Sequence, residues 1–82
     1  MAMETPSTQA LVAQAIAVQL TRKNMTRGAL AEALGVGPMW VSSRMTGAVN
    51  FDTKDIDRIA AALGLASGVE LLELVSAEAV SA

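Results

Sequence analysis

The run Leu34-Gly35-Val36-Gly37-Pro38 restricts the fold more than any other stretch of this chain. Glycine enters the left-handed conformation that ends a helix without steric cost, and proline is tolerated in a helix only in its first turn. A glycine followed three residues later by a proline therefore stops one helix and starts another almost at once. On one side, Thr26 is an N-cap for a segment carrying Leu30, with the small Ala31 where that helix passes close to a neighbour. On the other side, Val41 and Met45 are four apart and form an inward stripe, which leaves Met39, Trp40, Ser42 and Ser43 outward or lateral. The segment Met25 to Gly47 is thus read as two short helices joined by a tight turn.

Composition agrees with a helical domain. The chain has 82 residues, enough for one small core, and 52% of them are hydrophobic while only 2% are aromatic, so the core is built from Ala, Leu, Val, Ile and Met. Cysteine and histidine are both absent, which excludes a disulfide framework, a thiol nucleophile, imidazole catalysis and the usual zinc sites. Gly35-Val36-Gly37 follows a helix and lacks the third glycine of a dinucleotide loop. Asp52, Asp55 and Asp57 lack the glycine and terminal glutamate of a calcium loop, so capping is the better reading. No enzyme activity, metal, cofactor or small-molecule ligand is expected. The longest apolar run falls short of the ~20 residues of a membrane span, and the start, MAMETPST, lacks the basic region of a secretory signal. A soluble, cytoplasmic protein with no membrane partner is expected.

In order along the chain, residues 1–6 are expected to be disordered, residues 7–76 to form the domain and residues 77–82 a tail. Thr5 or Ser7 caps a first helix, with Pro6 allowed in its first turn, and Leu11 or Val12, Ile16 and Leu20 recur on its inner face. Asn24 tolerates the left-handed conformation that ends it. After the central pair of helices, Phe51 plugs the core from a loop. Asp52 and Asp55 form a capping-box-like start for a fourth helix with Ile56, Ile59, Ala60 and Leu63 inward. Ser67 and Glu70 open a fifth, expected to bury Val69 and Leu72, with Val75 open to a core or a surface role. Leu30-Ala31-Glu32-Ala33-Leu34-Gly35-Val36 is echoed by Ile59-Ala60-Ala61-Ala62-Leu63-Gly64-Leu65. Both are read as one way of ending a helix: glycine just past the end, then an apolar residue folded back on the last turn.

The net charge is −2, yet the charges are unevenly placed. Between Leu20 and Asn50, Arg22, Lys23, Arg27 and Arg44 stand against the single acid Glu32, whereas Glu70, Glu73 and Glu78 make the far end acidic. Such a basic segment suits a phosphate backbone, and it equally describes ordinary solvated helix faces.

The run from Met25 to Leu72 resembles the Cro/C1-type, lambda-repressor-like helix-turn-helix family of bacterial and phage transcription regulators, in a variant found in actinobacteria and their phages. The resemblance rests on Met25-Thr26, Leu30-Ala31, Leu34-Gly35-Val36, Trp40-Val41-Ser42-Ser43-Arg44-Met45-Thr46-Gly47, and Arg58-Ile59-Ala60-Ala61-Ala62-Leu63-Gly64. It implies a compact all-α domain of five helices with the helix-turn-helix at helices 2 and 3. It also implies that helix 3 lies in the major groove of double-stranded DNA. The matching positions then make Pro38, Met39, Ser42 and Ser43 the base-edge candidates. Arg22, Lys23, Thr26, Arg27, Gly37, Trp40, Arg44, Thr46 and Asn50 become the phosphate or sugar candidates. Arg27 stands where many members have a glutamine that braces the DNA backbone, and Arg22 and Lys23 are read equally as solvated or phosphate-bound.

Two departures stand out. Relatives place Gln, Asn, Arg or Lys where this chain has Pro38 and Met39, which make only apolar contacts, for instance with a thymine methyl. Gly37 replaces the usual Ser or Thr cap. The resulting expectation is a phage-type repressor that binds DNA, with Leu71, Leu74, Val75 and Val80 as candidates for a homodimer surface. The alternative is a protein-interaction module or antitoxin on the same fold, which the acidic balance and the apolar Met39-Trp40 pair favour.

Overall fold

A computed structural model describes residues 7–81, with side chains for residues 7–77. Among these the chain forms five α-helices and no strand: α1 Thr8–Arg22, α2 Arg27–Leu34, α3 Pro38–Met45, α4 Thr53–Ala62 and α5 Gly68–Ser81. Residues 1–6, expected to be disordered, lie outside the described residues. Of the tail expected at 77–82, residues 77–81 lie in α5, which runs to Ser81.

Each helix start follows from its local chemistry. The Ser7 Oγ accepts the Ala10 N–H at 3.1 Å, and the Thr26 Oγ1 accepts that of Ala29 at 3.0 Å, so each hydroxyl satisfies a donor with no partner inside its helix. Ser7 is therefore the cap of α1, and Thr5 and Pro6 lie outside the described residues. At α4 the capping box is complete: Asp52 Oδ1 accepts the Asp55 N–H at 2.7 Å and Asp55 Oδ2 accepts the Asp52 N–H at 3.2 Å. In α5 the Glu70 Oε2 reaches past Ser67 to the Ala66 N–H at 2.8 Å.

The helix ends repeat one arrangement. At the end of α2, Gly35 has φ +71°, its N–H donates to the Glu32 carbonyl at 3.1 Å, and the Val36 N–H donates to the Ala31 carbonyl at 3.0 Å. The end of α4 has the same pair, Gly64 to Ala61 at 3.1 Å and Leu65 to Ala60 at 2.9 Å. The end of α1 repeats it with asparagine: Asn24 has φ 54°, and Met25 donates to Leu20 at 2.8 Å. In each case the next residue, Val36, Leu65 or Met25, folds back against the core.

The core is a single cluster centred on Val12, Ile16, Leu30, Ile59, Leu63 and Leu71, closed by Phe51 from the loop before α4. Ala15, Ala31 and Ala60 are buried between them, and their small side chains let the helix axes approach closely. The Gln9 amide ties the loop down: its Nε2 donates to the Phe51 carbonyl at 3.0 Å and its Oε1 accepts the Phe51 N–H.

Helix α5 is rotated from the expected register. Val69 is 64% and Leu72 42% exposed, whereas Leu71 is fully enclosed and Val75 is buried. The cause lies at Gly68, which is itself buried: a Cβ there would stand 2.2 Å from Asp57 Oδ1 and 3.1 Å from Ile56 Cγ2. This close approach points Gly68, Leu71 and Val75, spaced three and four apart, inward. Leu71 and Val75 therefore belong to the monomer's own core, not to a dimer surface. Leu74 is half-buried, and the Val80 side chain lies outside those described.

The glycines of α2 can be told apart by stability. Nothing lies within 4 Å of a Cβ at Gly35, so Gly35→Ala meets only the left-handed backbone penalty and should cost about 1–2 kcal/mol. Gly28 is helical and exposed, with its nearest contact at an ordinary 3.7 Å, so Gly28→Ala should stabilise by up to about 1 kcal/mol. Urea unfolding of the two variants checks this, and equal effects would contradict the assignment of Gly35 as the turn residue.

Candidate nucleic-acid interface

Helix α3 contributes one buried residue, Val41, to the core, with Met45 packed beside it. The opposite side of the helix is formed by Met39, Ser42, Ser43 and Thr46, which are three or four positions apart. Met39 is 76% exposed, Pro38 and Thr46 are exposed, and the two serines are half-buried. No side chain caps the first turn, where Gly37 precedes Pro38. The hydroxyls near the end of the helix turn back on it: Ser43 Oγ donates to the Trp40 carbonyl at 3.1 Å and Thr46 Oγ1 to the Ser43 carbonyl at 3.3 Å.

The lateral pair Trp40 and Arg44 is built into the structure. Arg44 lies over the Trp40 ring, 3.8 Å from its centroid, and its Nη1 donates to the Trp40 carbonyl at 3.3 Å. Its Nε donates to Asp55 Oδ2 at 2.9 Å, in an ion pair whose side chains are only 16% and 8% exposed. Arg58 approaches the same ring at 5.5 Å and donates through Nη2 to the Leu34 carbonyl at 3.0 Å, at the end of α2. The indole is half-buried and packed on the core. Arg44 and Trp40, candidates for phosphate or sugar contact from the sequence, are thus held against α4, and Arg44 also lines the cleft that contains Thr46 and Asn50. The link is Asp55, one residue serving both in the capping box of α4 and as counter-ion for Arg44.

Burial pushes the Asp55 carboxyl up, but its hydrogen bonds from Arg44 and from the Asp52 backbone, with the charge of Arg44, outweigh this and leave it below its ordinary value of 3.8. The carboxylate form is the one the fold selects.

The remaining cations sit on the surface. Arg22 and Lys23 are exposed at the end of α1, and Arg27 is exposed at the start of α2. Thr26 is occupied as the α2 cap. Asn50 is exposed in the loop after α3, where it shares a cleft with Thr46, Gly47, Ser7 and Gln9. The structural roles of Gln9 and Arg58 have no local signature: Gln9 acts on a residue 42 positions away, and Arg58 lies in a surface stripe of α4.

Residues 8–74 match the protein family described as a helix-turn-helix domain. The chain belongs to this family. The helix-turn-helix unit is α2 and α3, joined at Gly35. The fold is similar to the crystal structure of the clp gene regulator ClgR from C. glutamicum, with a TM-score of 0.78 and 23% identity over 90% of this chain and 95% of that one. It is also similar to that of a hypothetical transcription factor, NHTF, from Neisseria, with a TM-score of 0.72 and 27% identity over 88% of this chain and 85% of that one. No curated protein matches in sequence.

Breaking the Arg44–Asp55 pair should unsettle the helix-turn-helix domain. Arg44→Ala leaves a buried carboxylate unpaired and is expected to cost roughly 3 kcal/mol. Arg44→Lys should recover little of this, because an ammonium lacks the planar group that stacks on the indole. Since the folded pKa of Asp55 is lowered, its contribution is present above pH 3.8 and is lost as pH falls through the lower folded value. The stability gap between wild type and Asp55→Asn, read from urea midpoints, should therefore close in that acid window. A gap independent of pH would remove the charge from the explanation.

Proposed function

We propose that this protein is a DNA-binding transcriptional regulator that places α3 in the major groove of double-stranded DNA. The observation that carries the reading is the outer side of α3, where Met39 and Thr46 are exposed among the described residues, on the second helix of a helix-turn-helix unit. One similar structure is named a gene regulator and the other a hypothetical transcription factor, in keeping with this. The Trp40-to-Gly47 run supports the finer reading, a phage-type repressor of Cro/C1 kind. Met39, Pro38, Ser42 and Ser43 face base edges, and Arg27, Lys23, Arg22, Thr46, Gly37 and Asn50 lie toward the sugar-phosphate backbone. With Arg44 neutralised inside the domain, few cations are left for phosphates, so one copy binds weakly. A homodimer formed through α5, using the exposed Val69 and Leu72, reads two half-sites.

A mobility-shift titration with fragmented genomic DNA at several salt concentrations tests the main claim. Sequence-selective retardation is expected, with log K falling against log salt by about 0.9 per phosphate contacted, and Arg27→Ala should reduce that slope by about 1. Retardation absent even at low salt would overturn the reading in favour of a protein-interaction module. Sedimentation equilibrium tests the dimer. Because α5 carries Glu70 and Glu73 but no cation, added salt should strengthen self-association while it weakens DNA binding, and Leu72→Glu should give a monomer. A monomeric wild type at all concentrations would exclude the α5 interface.

A further inference from the structure

The side of α3 opposite the core presents no amide, guanidinium or ammonium group. The arginine of this helix, Arg44, is paired with Asp55 at 2.9 Å and stacked on Trp40, so it cannot reach across to that side without leaving its counter-ion. The Ser43 and Thr46 hydroxyls donate their protons to carbonyls of the helix itself. What projects farthest is Met39, 76% exposed, in the first turn after Gly37 and Pro38. Recognition helices that select purines do so with forked hydrogen-bonding side chains, and this surface has none. The one apolar feature on a base edge in the major groove is the methyl on C5 of a pyrimidine. An unbranched, polarisable thioether conforms well to such a small group.

We propose that Met39 is a specificity-determining residue that recognises a pyrimidine C5-methyl group in the major groove. This rests on the placement of α3 described under the proposed function. Thymine and 5-methylcytosine share the chemistry. The neighbouring Ser42 is short enough to let the methionine side chain lie along the groove floor. A change at Met39 alters which sequences bind, whereas a change at Arg27 alters how tightly all of them bind.

The test begins with bound fragments selected from an unmethylated random library, followed by footprinting. At each thymine in the protected site, replacement by deoxyuridine removes the methyl and keeps the base pair. For the wild-type protein, at least one such replacement should weaken binding about four-fold, the effect of one buried methyl lost from contact. For Met39→Ala the same replacement should change affinity less than about two-fold, whereas Met39→Leu should keep most of the discrimination. In a second arm, cytosine and 5-methylcytosine are placed at the same position. Tighter binding of thymine than of 5-methylcytosine at that position identifies thymine as the natural base, and the reverse order identifies 5-methylcytosine. Circular dichroism of the Met39 variants controls for folding, which an exposed side chain should not disturb. Selective DNA binding with equal affinity for thymine and uracil everywhere, or discrimination that survives Met39→Ala, overturns this inference and leaves DNA binding intact. No binding to any DNA at low salt overturns both.

Discussion

The Arg44–Asp55 ion pair is the interaction on which the geometry of the central unit depends. It joins the last turn of α3 to the first turn of α4, and it does so with a carboxylate already committed to the capping box of Asp52. Burying two charges is costly, and it is tolerated here because further groups support the pair: the Asp52 N–H donates to the same Asp55 Oδ2, the guanidinium donates to the Trp40 carbonyl, and the indole face lies beneath it. The pair therefore fixes the rotation of α3 about its own axis. Once Trp40 and Arg44 are held on the α4 side, Met39 and Ser42 are left facing outward, and the character of that surface follows.

The rest of the fold is economical in its means. Three helix ends close with a left-handed residue and the same two backbone bonds, and each sends an apolar residue back to the core. With few aromatic residues to fill space, the core relies on close approach, and alanines at 15, 31 and 60 permit it. Gly68 is the same device at the α4–α5 contact, where a methyl group would collide with Asp57. That contact determines which side of α5 is buried, and so which residues remain on the surface for another molecule.

Charge is distributed to match. Lys23 and Arg27 lie at the junction of α1 and α2, and the acidic side chains of α5 are elsewhere in the chain and carry no compensating cation. An overall charge of −2 thus coexists with a locally basic region. The formal count still overstates that region, since Arg44 is neutralised by a neighbour that composition places outside it.

The sequence by itself determined the helices and their ends. Gly35, Gly64 and Asn24, the Asp52–Asp55 box and the Thr26 cap are local devices whose partners lie within a few residues, so spacing reveals them. The inward stripes of α1, α3 and α4 were readable for the same reason, since their apolar residues recur at helical spacing. Helix α5 was not readable in this way: Val69, Leu71, Leu72, Leu74 and Val75 offer apolar residues all round, and only contact with Ile56 and Asp57 across Gly68 selects the buried side. The site divided similarly. Exposure of Met39 follows from the period of α3, but the pairing of Arg44 with Asp55 depends on a residue eleven positions away on another helix. Long-range pairing of this kind leaves no periodic trace, and tertiary structure alone decided it.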